Sequence, residues 1–157
     1  MNKEEQVVIR FRDLFNKWGW LNKLKMESRF KGYTSSEVHC VELIGKNANA
    51  NETRLAESFY MTRGAISKMT KKLIKKGLIE SCRKPDNRKE ICFRLTGRGE
   101  EINKAHEELH KAFRERDKAV FEQVSEEQFD AMLDFVERYS RHLDAEIKKL
   151  ALNSKPE

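Results

Sequence analysis

Residues 53–99 read TRLAESFYMTRGAISKMTKKLIKKGLIESCRKPDNRKEICFRLTGRG. Two periodicities follow one another in this stretch. A short helix near Glu52 to Phe59 turns Leu55 and Ala56 inward, and "YMTRG" makes a tight connection into the next helix. That helix runs from about Thr62 to Lys76, with Ile66, Met69, Leu73 and Ile74 as its inward set. Gly77 stops it as a C-terminal cap. The period then changes from 3.6 to 2. "LIESCRK" and "KEICFRLT" are two strand candidates joined by Pro85-Asp86-Asn87-Arg88, with Ile91, Phe93 and Leu95 alternating with Cys92 and Arg94. A short helix, a basic helix and a basic hairpin, preceded by one more helix, make the layout of a winged helix-turn-helix.

The flanks complete a mostly α chain. Residues 4 to about 27 form a first helix, in which Val8, Phe11, Phe15 and Trp18 recur at spacings of three and four. Thr34 and Glu37 make a capping-box pattern that opens the second helix over Val38, Val41 and Ile44. Gly45 and "NANAN" close it. Thr96 caps a long fifth helix through Ile102, Leu109 and Phe113 to Val120, and Ser125-Glu126-Glu127-Gln128 opens a last one. The expected organisation is a winged helix-turn-helix DNA-binding domain over 34–96, with a two-stranded β-hairpin wing. Long N- and C-terminal dimerisation helices occupy 1–33 and 97–150, and 151–157 form a flexible tail. The first and last helices carry apolar stripes too large for a small winged core to cover, which predicts a homodimer.

Charge is concentrated where the winged unit lies. The chain carries +6. Residues 63–89 hold ten basic and two acidic side chains, a net +8 that leaves −2 for the remainder. A basic surface on an otherwise mildly acidic chain suits a phosphate backbone, and so a double-stranded DNA partner. On the basic helix, Thr62, Arg63, Gly64, Ser67, Lys68 and Lys71 face away from the apolar set, where they reach bases and phosphates. Lys72, Lys75 and Lys76 are expected to serve phosphates or solvent. At the hairpin tip, Lys84, Asp86, Asn87 and Arg88 extend the contact, with Asp86 pairing Arg88 and directing it into a minor groove. No run approaches eighteen apolar residues, and the N-terminus has no continuous apolar core. The expected location is the cytoplasm, with no membrane partner. Three cysteines, Cys40, Cys82 and Cys92, argue against a disulfide framework there. Cys82 and Cys92 are expected across the hairpin from one another as small apolar fillers.

Leu55-Ala56, Gly77-Leu78-Ile79, Asp86-Asn87-Arg88 and Leu95-Thr96 with Gly99 resemble the pattern of the MarR-type (multiple antibiotic resistance) transcription regulators, over nearly the whole chain. The resemblance implies an obligate homodimer with interlocking terminal helices, bound to a pseudo-palindromic operator. It implies a repressor released by a small molecule, a metal or an oxidant, and it makes Arg88 the wing arginine. Small phenolic or lipophilic ligands often bind such proteins between the DNA-binding lobe and the dimer helices. Trp18, Trp20, Phe30 and Tyr33 are the aromatic candidates to line that space, each with core packing as its ordinary use.

Residues 106–110 read HEELH and match the zinc-protease string H-E-x-x-H. The only downstream histidine is His142, inside the last helix, and the motif helix is so rich in glutamate that Glu107 carries little information. A small zinc-dependent hydrolase and a basic protein-interaction adaptor are the competing readings. The expectation is no enzyme. His106 and His110, one helical turn apart, still face the same way. The chain is similar here to the zinc-responsive adhesin-competence repressors of the same family. In these, a histidine near the start of the second helix joins two histidines spaced i, i+4 in the fifth, the first lying ten residues beyond the Leu-Thr threonine. Thr96 to His106 is ten, and His39 holds the second-helix place. The resemblance thus implies a zinc or other divalent transition-metal effector on His39, His106 and His110, with Glu27 as a candidate fourth ligand. Val38 and Ala105 stand where that subset places acids of a second site, so no second site is expected.

Overall fold

Six side-chain caps divide the chain into its helices. Asn2, Thr34, Asn51 and Thr62 accept hydrogen bonds from the backbone N–H groups of Glu5, Glu37, Arg54 and Ala65, opening α1 (Lys3–Arg29), α2 (Ser35–Lys46), α3 (Glu52–Phe59) and α4 (Arg63–Lys75). The Thr96 hydroxyl accepts from Gly99 N–H and opens α5 (Gly97–Phe121). Ser125 and Gln128 exchange bonds in a full capping box ahead of α6 (Glu126–Asn153). The computed structural model describes residues 1–87 and 89–153, with only the backbone at 152 and 153. Helix α6 continues three residues past the expected boundary at 150, and the remainder of the expected tail, 154–157, lies outside the described residues.

The sheet has three strands where the sequence pattern predicts two. β2 (Ile79–Arg83) and β3 (Ile91–Leu95) pair antiparallel as the expected hairpin. β1 (Ala50–Asn51) adds to the other edge of β3, giving the order β1-β3-β2. Two residues are too short for a period-2 signal, which is why "NANAN" reads only as a helix end. The register sets Cys82 opposite Cys92, with Cα atoms 5.0 Å apart, and the two sulfurs are joined in a disulfide. This corrects the expectation of apolar fillers: the odd cysteine is Cys40, free and buried.

Residues Met1–Phe113 form one compact unit and the chain from Arg114 a second. In the first, Leu55, Ile66, Leu73, Leu78 and Ile79 are fully or almost fully buried, each worth roughly 1.5–3 kcal/mol of removed apolar surface. The inward set of α4 differs from its expected form at one position. Thr70 is buried, its hydroxyl donating to Ser67 O, while Ile74 is 43% exposed. Gly77, at φ +76°, ends α4 in a Schellman motif: Leu78 N–H donates to Leu73 O and Gly77 N–H to Ile74 O. That turn delivers the chain straight into β2 and fixes α4 against the β2–β3 hairpin. A second cluster of Met26, Phe30 and Val38 packs against Ile102, Ala105 and Leu109 and ties α1 and α2 to α5.

Candidate functional site

Helix α4 exposes the face expected of it. Thr62, Arg63, Gly64, Lys68 and Lys71 are exposed and Ser67 is half-buried, while Ile66 and Met69 point into the core. Arg63, Lys68, Lys71, Lys72 and Lys75 make no ion pair among the described residues. Among the described residues no ion pair neutralises their positive charge, and the Thr62 hydroxyl is committed to the cap. Lys76 behaves differently from its neighbours. Its ammonium bonds the buried Glu37 carboxylate at 2.7 Å and Gly32 O at 3.0 Å, and lies 5.3 Å from the Tyr33 ring. Its expected role toward phosphate or solvent is thus corrected: it ties the end of α4 to α2. Glu37 is accordingly taken from its expected capping box, and Thr34 caps α2 through its own hydroxyl alone.

The wing is less uniformly cationic than the sequence suggests. Lys84 pairs with Glu90 at 3.5 Å, and Arg94 with Glu80 at 2.6 Å across the β2–β3 register. Asp86 and Asn87 are exposed at the tip, where Asn87 Oδ1 accepts from Lys89 N–H. Arg88, and with it the expected Asp86–Arg88 pair, lies outside the described residues.

The three histidines named from the sequence do converge. One ring nitrogen from each of His39, His106 and His110 lies within 4.8 Å of the others. His39 is exposed on α2, His110 half-buried and His106 fully buried on α5. The Nε2 atoms of His106 and His110 are 2.9 Å apart, near the roughly 3.3 Å that two nitrogens hold around one tetrahedral zinc. Glu27 does not join them. It is exposed on α1 and pairs with Lys23. The acid beside the cluster is Glu42, whose Oε2 is 3.4 Å from His106 Nδ1. Sequence reasoning missed Glu42 because it lies one turn beyond His39 on α2 and no string marks it. His39 and Glu42 also line an open cleft of about 220 Å³ with Leu43, Lys46, Ser58 and Phe59. The donor set fits a divalent transition metal: three imidazoles gathered together, with the Nε2 atoms of His106 and His110 facing one another. Trp18 and Trp20 are 55% and 67% exposed, whereas Phe30 is buried.

Burial disfavours the charged forms of His106 and His39. Burial, reinforced by His110, His39 and Lys46 and opposed by Glu42, pushes His106 down to about 4. Burial and His110 also lower His39, against the pull of Glu42. Burial alone would raise Glu42, but its hydrogen bond to Lys46 and the nearby His106, Lys46 and His110 charges hold it below the usual carboxylate value. The folded metal-free chain therefore binds fewer protons at His106 than the unfolded chain. Stability from this site is complete above the unfolded value near 6.5 and drains as pH falls toward 4, by up to about 3 kcal/mol. Urea unfolding of wild type and His106→Leu at about pH 7 and pH 4.5 checks this. The wild type should lose about 2–3 kcal/mol more than the variant, and equal losses would count against a neutral buried His106.

A family model described as MarR family matches residues 33–91. The uncharacterized HTH-type transcriptional regulator YhjH of Bacillus subtilis (strain 168) is 32% identical over 124 residues, spanning 78% of this chain and 69% of that protein. Streptococcus pneumoniae FabT, solved in complex with DNA, superposes with a TM-score of 0.78 at 24% identity, covering 91% of this chain and 99% of its own. The adhesin competence repressor AdcR of Streptococcus pyogenes does so at 0.60 and 18%, over 83% and 97%. At those identities the two structures speak to the fold, a winged helix-turn-helix with long flanking helices. No described helix is long and apolar enough to cross a membrane. Matched by the family's own model, by its fold and by a helix-turn-helix regulator across most of that regulator's length, the chain belongs to the MarR family and is a transcription regulator, not an enzyme.

Proposed function

We propose that the chain is a repressor that binds a pseudo-palindromic double-stranded DNA operator as a homodimer, with a divalent transition metal as its effector. The observation that carries the DNA reading is the exposed face of α4, where Arg63, Lys68 and Lys71 stand without anionic partners among the described residues. Arg63 bonds a guanine edge in the major groove, Lys68 and Lys71 take phosphates, and Gly64 lets the helix backbone approach. Arg88 enters the adjoining minor groove from the wing. The DNA complex of FabT, a protein of the same fold, supports this assignment. The exposed apolar stripes of α1 and α6 support the dimer. The convergence of His39, His106 and His110 supports a metal rather than a phenolic effector.

Operator fragments selected from random DNA by the full-length protein supply the test. Arg63→Ala is expected to weaken specific binding by about 1–3 kcal/mol and relax selectivity at one base pair, while Lys71→Ala weakens all sequences alike and lowers the salt slope by about 1. Zinc is expected to change operator affinity in wild type and not in His106→Ala. Equal affinity for every sequence, with a salt slope that ignores these substitutions, would overturn the DNA reading. A zinc response unaltered in His106→Ala would overturn the effector.

A further inference from the structure

His106 is held by two nitrogens, and metal binding uses only one. Its Nε2 faces His110 Nε2 at 2.9 Å. Between two neutral imidazoles that contact is a hydrogen bond only if one ring keeps its proton on Nε2. A metal needs both Nε2 lone pairs, so both rings must then carry their protons on Nδ1. For His106 that position is demanding. The ring is fully buried, and its Nδ1 has no hydrogen-bond partner among the described residues. A proton placed there needs an acceptor, and the group facing it is the Glu42 carboxylate, Oε2 at 3.4 Å.

We propose that Glu42 is the positioning residue of the metal centre, its carboxylate holding His106 in the tautomer that presents Nε2 to the metal. The inference rests on the metal reading above and deepens it. Glu42 is suited to the task because its two oxygens are divided. Lys46, one turn along α2, donates to Oε1, which leaves Oε2 turned toward His106. The two elements are also packed together independently of any metal, through Val38 of α2 against Ile102, Ala105 and Leu109 of α5. Glu42 and His39 therefore approach His106 from the same helix, the one as orienting acid and the other as ligand. The relay runs Lys46, Glu42, His106, metal. Carboxylates behind metal-bound imidazoles raise ligand basicity and fix ring orientation, and their loss typically lowers metal affinity 10–100-fold.

The experiment is a zinc titration of the full-length protein against a competing chelator, with wild type, Glu42→Ala, Glu42→Gln, Lys46→Met and His106→Ala. Glu42→Ala is expected to bind zinc about 10–100-fold more weakly, and Glu42→Gln, which keeps an acceptor without the charge, to fall between it and wild type. Lys46→Met, which frees Oε1 but leaves the carboxylate in place, is expected to lose less affinity than Glu42→Ala. Thermal transitions of the zinc-free variants report whether each is folded. Nitrogen-15 spectra of the imidazoles in the zinc-loaded protein give a second readout, which a merely structural acid would not move. Wild type should show His106 protonated at Nδ1 with a slowly exchanging proton, and Glu42→Ala should lose that protection. Glu42→Ala binding as tightly as wild type, or an unprotonated Nδ1 in loaded wild type, would each overturn the role of Glu42. Wild type that fails to bind zinc, or His106→Ala that binds it equally well, would instead remove the metal reading and this inference with it.

Discussion

Gly99→Ala is expected to destabilise the chain by about 3 kcal/mol or more, whereas Gly97→Ala, two residues earlier on the same helix, should be close to neutral. A Cβ at position 99 would lie 2.0 Å from the Leu78 carbonyl oxygen and 3.0 Å from its carbon, well inside contact distance and against backbone rather than a yielding side chain. At Gly97 an added Cβ meets nothing within 4 Å. The close approach is built into the junction. Leu78 O also accepts the Thr96 N–H, and the Thr96 hydroxyl donates to Gly77 O while accepting from Gly99 N–H. Leu-Thr-x-x-Gly is thus the sequence of one contact, in which the start of α5 is pressed onto the turn that ends α4. Relief requires α5 to lift away from that turn, and α5 carries His106 and His110. Differential scanning calorimetry should show Gly99→Ala melting roughly 10 °C lower and Gly97→Ala within a degree or two of wild type. Similar transitions for both variants would mean that the junction tolerates displacement.

How far the sequence was legible follows from whether a feature is local. The bounds of α3, the start of α4 near Thr62 and the Gly77 stop depend on residues within one turn of each other, and they stand where the pattern puts them. The pairing of Cys82 with Cys92 across the hairpin is also legible, since counting outward from the tip fixes it; that the two sulfurs bond is not. Lys76 and Glu37 are 39 positions apart, and nothing near either residue announces their pairing. Their meeting depends on α2 and α4 packing, so Lys76 reads in sequence as one more lysine of a basic face. Ile74 and Thr70 exchange roles for a similar reason: both lie near the border of an apolar arc, and the neighbouring elements decide which side is covered. At the metal site, HEELH announces two histidines because i, i+4 is a local relation. The third comes only through resemblance and Glu42 not at all, and Glu27 has no spacing rule to aim it, being an acid at the end of α1 that no motif fixes.

The last helix sets up the second large effect, because its apolar face is complete and uncovered. Met132, Leu133, Val136, Tyr139, Leu143 and Ile147 are 40–65% exposed, and at about 100° per residue they fall within an arc of roughly 120°. On α1, Val7, Leu14, Trp18 and Leu21 are 38–57% exposed and share an arc of about 60°. Stripes this long on a monomer are a liability, and a second copy of the chain is the partner proposed for them. Val136→Glu combined with Leu143→Glu places two carboxylates at the centre of the α6 stripe without touching any buried residue. Sedimentation equilibrium should report a dimer for wild type and a monomer for the double variant, with helical content unchanged. Operator affinity is expected to fall by about 10²–10⁴, the advantage that linking two half-site contacts confers. The salt slope should roughly halve as one subunit's phosphate contacts are lost. That halving separates a lost dimer from a damaged reading head, since an unfolded winged domain would lose the specific contacts altogether. A double variant that stays dimeric, or a monomer that grips the operator as tightly and with the same slope, would show that these stripes serve some purpose other than joining two copies over DNA.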